Sequence, residues 1–423
     1  MSASPAASPD DRAADDRAAD DRAADDRAAD DRVSDDRAAL PSDAEVVIVG
    51  GGVMGTSAAF HLAEAGVADV VVVEKGELGC GSSGKPIGGV RAQFSDPLNI
   101  ELGSRSLRAW RDFPRRPGAD IRLDSVGYLF LLDTDRQAAD FENAVRVQRA
   151  HGLPSRMIGP HEARRLCPYV ATDGLTAAAY SPEDGHARPA LAVRGYARAA
   201  AEAGVVFATR TAVTGIEVAG GRVAAVRTDR ARVACRTVVC AAGAWSAQVG
   251  DMAGVVLPVR PVRRQLAFTA PLVPPVPRIP FTIDFASSAY FHNSDDGLLV
   301  GLADPDEAEG FDTTWTPGWL ELFRAAVRRR APAVAGMAMT GGGWAGLYEV
   351  TPDHNALIGR AGSPDGFVYA TGFSGHGFLQ APAVGELVRD LCLGRTPFLD
   401  VTPLSADRFA AGAGGTRREA HVV

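Results

Sequence analysis

Val46 to Val49 form an unbroken apolar run, three glycines follow at once, and small and apolar residues then continue to Gly66. Such a run bounded by glycine predicts a strand buried on both faces, a tight turn, and a helix stopped at Gly66. Val70 to Val73 predict a second buried strand ending at Glu74. Regular alternation then stops. Residues 76 to 95 hold six glycines, Pro86 and three serines, the composition of a long loop. A helix is expected from about Leu98 to Phe113, a strand over 126–133, and mixed structure to 180. The pattern then returns to a helix over 187–204, a hairpin over 211–228 turning at Gly220-Gly221, and a buried strand over 237–246. Prolines cluster over 271–280, a hairpin over 289–302 turns at Asp295-Asp296-Gly297, and a strand over 366–372 feeds the loop Phe373–Phe378 and a helix from near Pro382. The order predicts an α/β chain of two domains, a Rossmann-type domain interrupted twice by a mainly antiparallel-sheet domain.

Length agrees, since 423 residues suit two domains or one large composite one. The net charge of −8 is uneven: residues 10 to 39 are six five-residue units of the DDRAA type that together carry 6 negative charges, leaving the rest close to neutral. Nothing in that body points to nucleic acid or an anionic membrane surface. Residues 1–42, almost free of aromatic and branched aliphatic side chains, are expected to be a disordered tail. No apolar stretch follows Met1 and no run of 18 apolar residues occurs, so a cytoplasmic chain is expected. Five cysteines without a CxxC pair imply neither a disulfide framework nor a thiolate metal site.

The first turn carries the chemistry. Gly50-x-Gly52-x-x-Gly55 has the spacing of a dinucleotide fingerprint, whose glycines serve the sharp turn, close approach of backbone to a pyrophosphate, and helix-on-strand packing. A phosphate would sit on the helix N-terminus. Glu74, 24 positions after Gly50, stands where an acid accepts from ribose hydroxyls.

The whole order of motifs resembles the flavoprotein amine and amino-acid oxidoreductases of the D-amino-acid-oxidase type, nearest to the branch of the sarcosine oxidase β-subunit, dimethylglycine dehydrogenase and glycine oxidase. The resemblance covers about residues 43 to 400. It rests on GGGVMG with Glu74-Lys75, the loop GSSGKPIGGVRAQFS, the strand VVCAAGAWS, the stretch WAGLYEVTPDHNALIG, and TGFSGHGFLQAPAVGE. It implies FAD, held by a discontinuous domain of residues 43–125, 185–255 and 341–400, a substrate domain of 126–184 and 256–340, and a C-terminal tail, 401–423. By the same resemblance Gly50, Gly52, Val53, Met54, Gly55, Glu74 and Lys75 bind the nucleotide, and the backbone of Val213 pairs with adenine. Ala242, Gly243 and Trp245 close over the nucleotide, while Ser82, Ser83 and Gly84 lie against one edge of the flavin. Gly375, His376, Gly377 and Phe378 present amides and a positive helix end to its pyrimidine ring.

The reaction so implied is hydride transfer from the C–H beside nitrogen to the flavin, leaving an imine that hydrolyses. Arg91 matches the arginine that grips a substrate carboxylate, a task suited to its planar fork. Tyr128, Tyr290, Trp344 and Tyr348 are candidate walls of a poorly hydrated site that keeps the amine neutral. His292 is a further candidate; His354 reads as a loop-capping residue. Three departures stand out. Gly346 occupies the place of the cysteine that attaches FAD covalently in monomeric sarcosine oxidases, so non-covalent FAD is expected. Leu379 replaces a carboxylate-binding lysine, and an apolar residue near Leu299 replaces the lysine tied to oxygen activation. The expected partners are thus a small amine or amino acid and either oxygen or another acceptor, with partner subunits left open. Oxidation of a larger amine, and a non-catalytic FAD-binding assembly protein, are the alternatives.

Overall fold

The computed structural model describes residues 40–67, 69–85, 87–410 and 418–422. The expected disordered tail therefore falls, but for its last three residues, outside the described ones. The chain begins β1 (Asp43–Val49), α1 (Val53–Glu64), β2 (Val70–Val73), β3 (Gly89–Val90), α2 (Pro97–Asp112), β4 (Tyr128–Leu132), α3 (Asp135–Ala150), β5 (Arg156–Ile158), α4 (Pro160–Leu166), β6 (Ala177–Ser181) and β7 (Gly185–His186). It continues α5 (Pro189–Glu202), β8 (Val206–Ala208), β9 (Val213–Ala219), β10 (Arg222–Thr228), β11 (Arg232–Cys240), α6 (Ser246–Met252), β12 (Arg260–Thr269), β13 (Phe281–Asp284), β14 (Ala289–Ser294) and β15 (Gly297–Leu302). The last elements are α7 (Trp319–Val327), α8 (Pro332–Ala335), β16 (Met339–Val350), β17 (Leu357–Arg360), β18 (Phe367–Thr371) and α9 (Gly377–Leu393).

Two large sheets result, a mixed α/β architecture as expected. The first runs β17-β18-β11-β1-β2-β8, with the β9–β10 hairpin attached through β10 to β11. Its strands from β18 to β8 are parallel. Buried on both faces, β1 and β2 are apolar throughout. Val46, Ile48, Val70 and Val72 pack with α1, α5 and α9, whereas Val47, Val49, Val71 and Val73 face the hairpin and α6. The second sheet runs β16-β12-β15-β14-β13-β4-β6-β5 and is antiparallel except for the β13–β4 pair. Strand period two splits β4: Leu129 and Leu131 pack under α7, while Tyr128, Phe130 and Leu132 face the opposite way.

Two expected boundaries need correction. The segment 341–350 belongs to the second sheet, because β16 pairs along β12 from Arg260↔Val350 to Thr269↔Met339; its glycine-rich start hid a strand twelve residues long. Of the expected tail 401–423, the described residues 401–410 and 418–422 are packed onto the body. Leu404, Glu419 and His421 are buried, and Arg408 pairs with buried Asp353 at 2.8 Å.

Helix α9 also begins at Gly377, five residues before Pro382. Around the proline, side chains of neighbouring helices bond backbone groups of α9. Trp110 Nε1 donates to the Leu379 carbonyl at 3.2 Å, Ser57 Oγ to that of Ala381 at 2.8 Å, and Ser106 Oγ accepts from the Ala383 amide at 3.2 Å.

Candidate active site

The turn after β1 is built for backbone contact. Gly50 has φ +111°, and a Cβ there would lie 2.3 Å from the Ala241 carbonyl oxygen. A Cβ on Gly55 would lie 1.9 Å from the Gly50 oxygen, so the third glycine lets α1 close onto the strand turn. Gly52 offers no side chain as N-cap; Ser83 Oγ, from the long loop, accepts from the Val53 amide at 2.9 Å instead. Glu74 holds two turns at once, accepting from Gly51 N and Gly76 N, each at 2.8 Å. Beside it the Lys75 ammonium stands 3.1 Å from the ring centroid of Trp245.

The late turn is a second cradle. Gly372, Ser374 and Gly375 all have positive φ, and a Cβ on Gly375 would meet the Tyr348 ring at 2.5 Å. His376 caps α9, and Gly377, Phe378 and Leu379 bring its positive end to the same space. That space is one cavity of about 630 Å³ running from Glu74 and Lys75 to His376. The early and late turns thus share a single hollow.

At the His376 end the walls come from the second sheet. Tyr128, stacked on Phe281 at 4.3 Å, lines the cavity with Tyr290 and Tyr348. Burial pushes all three phenols up, so they stay neutral. His376 is pushed down to about 3, chiefly by burial and then by the Arg91 guanidinium. Its ring is therefore neutral, and Nε2 accepts from Arg91 Nη2 at 3.0 Å. Arg91 is itself buried and committed to the chain. Nη1 donates to the Gln93 carbonyl, Nη2 also donates to that of His421 at 2.6 Å, and the guanidinium lies 4.1 Å over the Phe94 ring.

Every expected cofactor residue lines the cavity except Gly55 and Gly84, which pack behind it. Gly84 is needed there, since its Cβ would fall 2.5 Å from the Gly79 oxygen. Among the expected reaction-end residues, Arg91, His376, Tyr128, Tyr290 and Tyr348 are brought together. His292 is not: it lies off the cavity, with its ring nitrogens 2.6 and 2.9 Å from the carbonyls of Asn293 and Ile87 and its face stacked on Phe281 and His186. Its chemistry is used in holding the loop to the sheet. Trp344 also turns away, donating to the Lys85 carbonyl at 2.7 Å, and Leu299 is packed in the sheet core. His354 has φ +63° and its amide donates to the Thr351 carbonyl, the turn position expected of it.

Arg264 is the residue the sequence did not disclose. On β12 the period of two sends Arg263 outward to Glu307 and Asp312, while Arg264 and Leu266 face the cavity. Among the described residues the Arg264 side chain makes one hydrogen bond, from Nη1 to the Arg263 carbonyl at 2.9 Å, and lies 5.2 Å over the Tyr348 ring. Its Nε is buried without a partner among the described residues.

A ligand with a dinucleotide at one end and a planar ring at the other fits these two glycine cradles, each of which a Cβ would fill. The chain belongs to the DAO family of FAD-dependent oxidoreductases, whose family model matches residues 45–391. It is an FAD-dependent oxidoreductase by that membership. It is 32% identical to FAD-dependent oxidoreductase domain-containing protein 1 of Bos taurus over 88% of this chain and 86% of that protein. Mitochondrial dimethylglycine dehydrogenase of Rattus norvegicus is 29% identical over 86% of this chain, which spans only 45% of that enzyme's length. The solved structure of L-proline dehydrogenase from P. horikoshii superposes with a TM-score of 0.82 at 32% identity, covering 90% of this chain and all of that one.

Proposed function

We propose that this enzyme oxidises the C–N bond of an amino acid or a carboxylate-bearing secondary amine, and that Arg264, with Arg91 behind it, attracts the carboxylate. FAD, when bound, supplies the acceptor for the two electrons and the hydrogen leaving the carbon beside nitrogen. Residues Gly50, Gly52, Val53, Met54, Glu74, Lys75, Val213, Ala242, Gly243 and Trp245 are assigned to the nucleotide, and Ser82, Ser83, Gly346 and Gly375–Leu379 to the ring. The observation that carries the reading is the pairing, in one cavity, of an aromatic wall with an arginine whose Nε has no partner among the described residues.

Tyr128, Tyr290 and Tyr348 exclude water, and with Arg264 they disfavour an ammonium, so the substrate nitrogen loses its proton before reaction. The first-turn amides of α9 favour negative charge building on the ring. His376 keeps Nε2 free of a proton and locks its ring on Arg91. With Gly346 beside the cavity, FAD is held without a covalent bond. The dimethylglycine dehydrogenase likeness supports an N-methylated substrate and the L-proline dehydrogenase likeness a cyclic one.

The test is anaerobic mixing of the FAD-loaded protein with N-methyl glycines, cyclic imino acids, simple amino acids and bulky amines. Bleaching of the visible flavin band by a carboxylate-bearing amine is expected, and admitting air then asks whether oxygen restores it. A flavin that stays yellow with every compound sinks the proposal.

A further inference from the structure

Glu419 lies beyond the residues that the family model matches, yet its carboxylate is buried and heavily bonded. It accepts from Ser95 N at 3.0 Å, Ser95 Oγ at 2.7 Å, Asp96 N at 3.0 Å, Asn99 Nδ2 at 3.0 Å and His421 N at 2.9 Å. The Glu419 amide donates to the Asp353 carbonyl at 3.1 Å, and the Ala420 amide to Ser95 Oγ at 3.0 Å. So many donors make a fixed anchor at the start of α2.

His421 reaches the other layer. Its ring stacks on Phe141 of α3 at 3.9 Å and 9°, and packs edge-on to Phe285 after β13. Its carbonyl accepts from Arg91 Nη2, the nitrogen that also donates to His376. The anchor thus leads from Glu419 through the His421 backbone to Arg91, and from there to the cap of α9.

We propose that Glu419–His421 is an active-site strap, with Glu419 as the positioning residue that fixes the His421 carbonyl on Arg91 and so holds Arg91 against His376. The strap closes the cavity from behind and keeps water off this pair. The inference rests on assigning the His376 end to the reacting ring; its test does not need turnover.

Two variants of the FAD-loaded protein decide it, Glu419→Gln and a chain ending at Arg418. Gln keeps the size of the side chain but turns an NH2 toward groups that already donate. The readout is the His376 ring in 13C-histidine NMR, assigned with His376→Asn, as pH falls from 8 to 5. The groups facing that ring are Arg91, Glu419, His354 and His421. In the parent protein the ring stays neutral throughout. With the strap loosened or gone, water reaches it; relief of burial, the largest cause holding its value down, outweighs loss of the Glu419 charge that raises it, and it titrates toward the ordinary value of about 6.5. Flavin content is expected to be unchanged, while turnover of the best amine from the panel falls on the order of 10- to 100-fold through misplacement of the pair.

A His376 ring that still fails to titrate in both variants overturns the proposal. So does loss of FAD or of the folded spectrum in Glu419→Gln, for the segment would then support the fold and not the site. If no amine bleaches the flavin but the ring titrates only in the variants, the strap stands and the proposed substrate class falls.

Discussion

Arg91 and Arg264 both reach the cavity, but their surroundings give them different work. Arg91 has three hydrogen bonds to the chain itself, which leave its fork little freedom to close on a carboxylate. Arg264 carries a buried donor without a partner among the described residues, and an ionised ligand oxygen there would form a charge-assisted bond. Such a bond contributes about 1.5–3 kcal/mol. Arg264→Met is therefore expected to raise KM for a carboxylate-bearing amine by about 10- to 100-fold. An amine lacking the carboxylate should react as before, and initial rates of flavin bleaching compare the two. Equal losses for both substrates would move the carboxylate elsewhere. Arg91 was legible because it stands in GGVRAQF, a stretch with motif character. Arg264 was not, since Arg263 and Arg264 look alike in PVRRQLAF until the strand's register sends one outward and the other inward.

At the level of elements, both glycine turns were readable because each requirement is local: a backbone angle, a missing Cβ, a helix start. Glu74 shows the limit of that reading, for its carboxylate also secures Gly51 and Gly76. Nor did any local signal mark the joint between β4 and the segment that leads from α7 to α8. There Arg330, almost fully buried, bonds the carbonyls of Ala171, Asp173 and Gly174 and pairs with buried Asp133 at the end of β4. Arg329 adds a second contact to Asp133 at 3.1 Å. Removing one member of a buried pair leaves the other charge without compensation, so Arg330→Met should cost about 3–5 kcal/mol of stability. Chemical denaturation checks this; a loss below about 1 kcal/mol would show that Arg329 replaces it.

Across the whole molecule, neutral histidines make stability depend on acid. Burial pushes His61, His186 and His421 down to about 4, and His292 and His376 to about 3, from an ordinary 6.5. Below 6.5 the unfolded chain takes up protons that the folded one refuses, so each contribution is complete above 6.5 and is lost as pH falls, toward 4 for three of the rings and toward 3 for His292 and His376. At pH 5.5 the loss is on the order of 1 kcal/mol per ring, and several kcal/mol for the five together. Asp184 acts in the opposite sense: burial pushes its carboxyl up to about 7, so acid stabilises its native form, by about 2 kcal/mol at the same pH. Five histidines outweigh this one carboxyl, and a net loss of a few kcal/mol is a large share of the stability of an ordinary domain. A steep fall in melting temperature between pH 6.5 and 5 is expected by circular dichroism; a flat profile would contradict it. By itself the sequence determined the parallel sheet and the first glycine turn, because apolar period, glycine spacing and helix ends act over a few residues; FAD was implied by the resemblance of its ordered motifs to a known family. The tertiary structure alone decided that β16 belongs to the second sheet, that Arg264 and not His292 faces the cavity, and that Glu419 and His421 support Arg91. Those facts depend on register and on chain segments hundreds of residues apart, where no local preference acts.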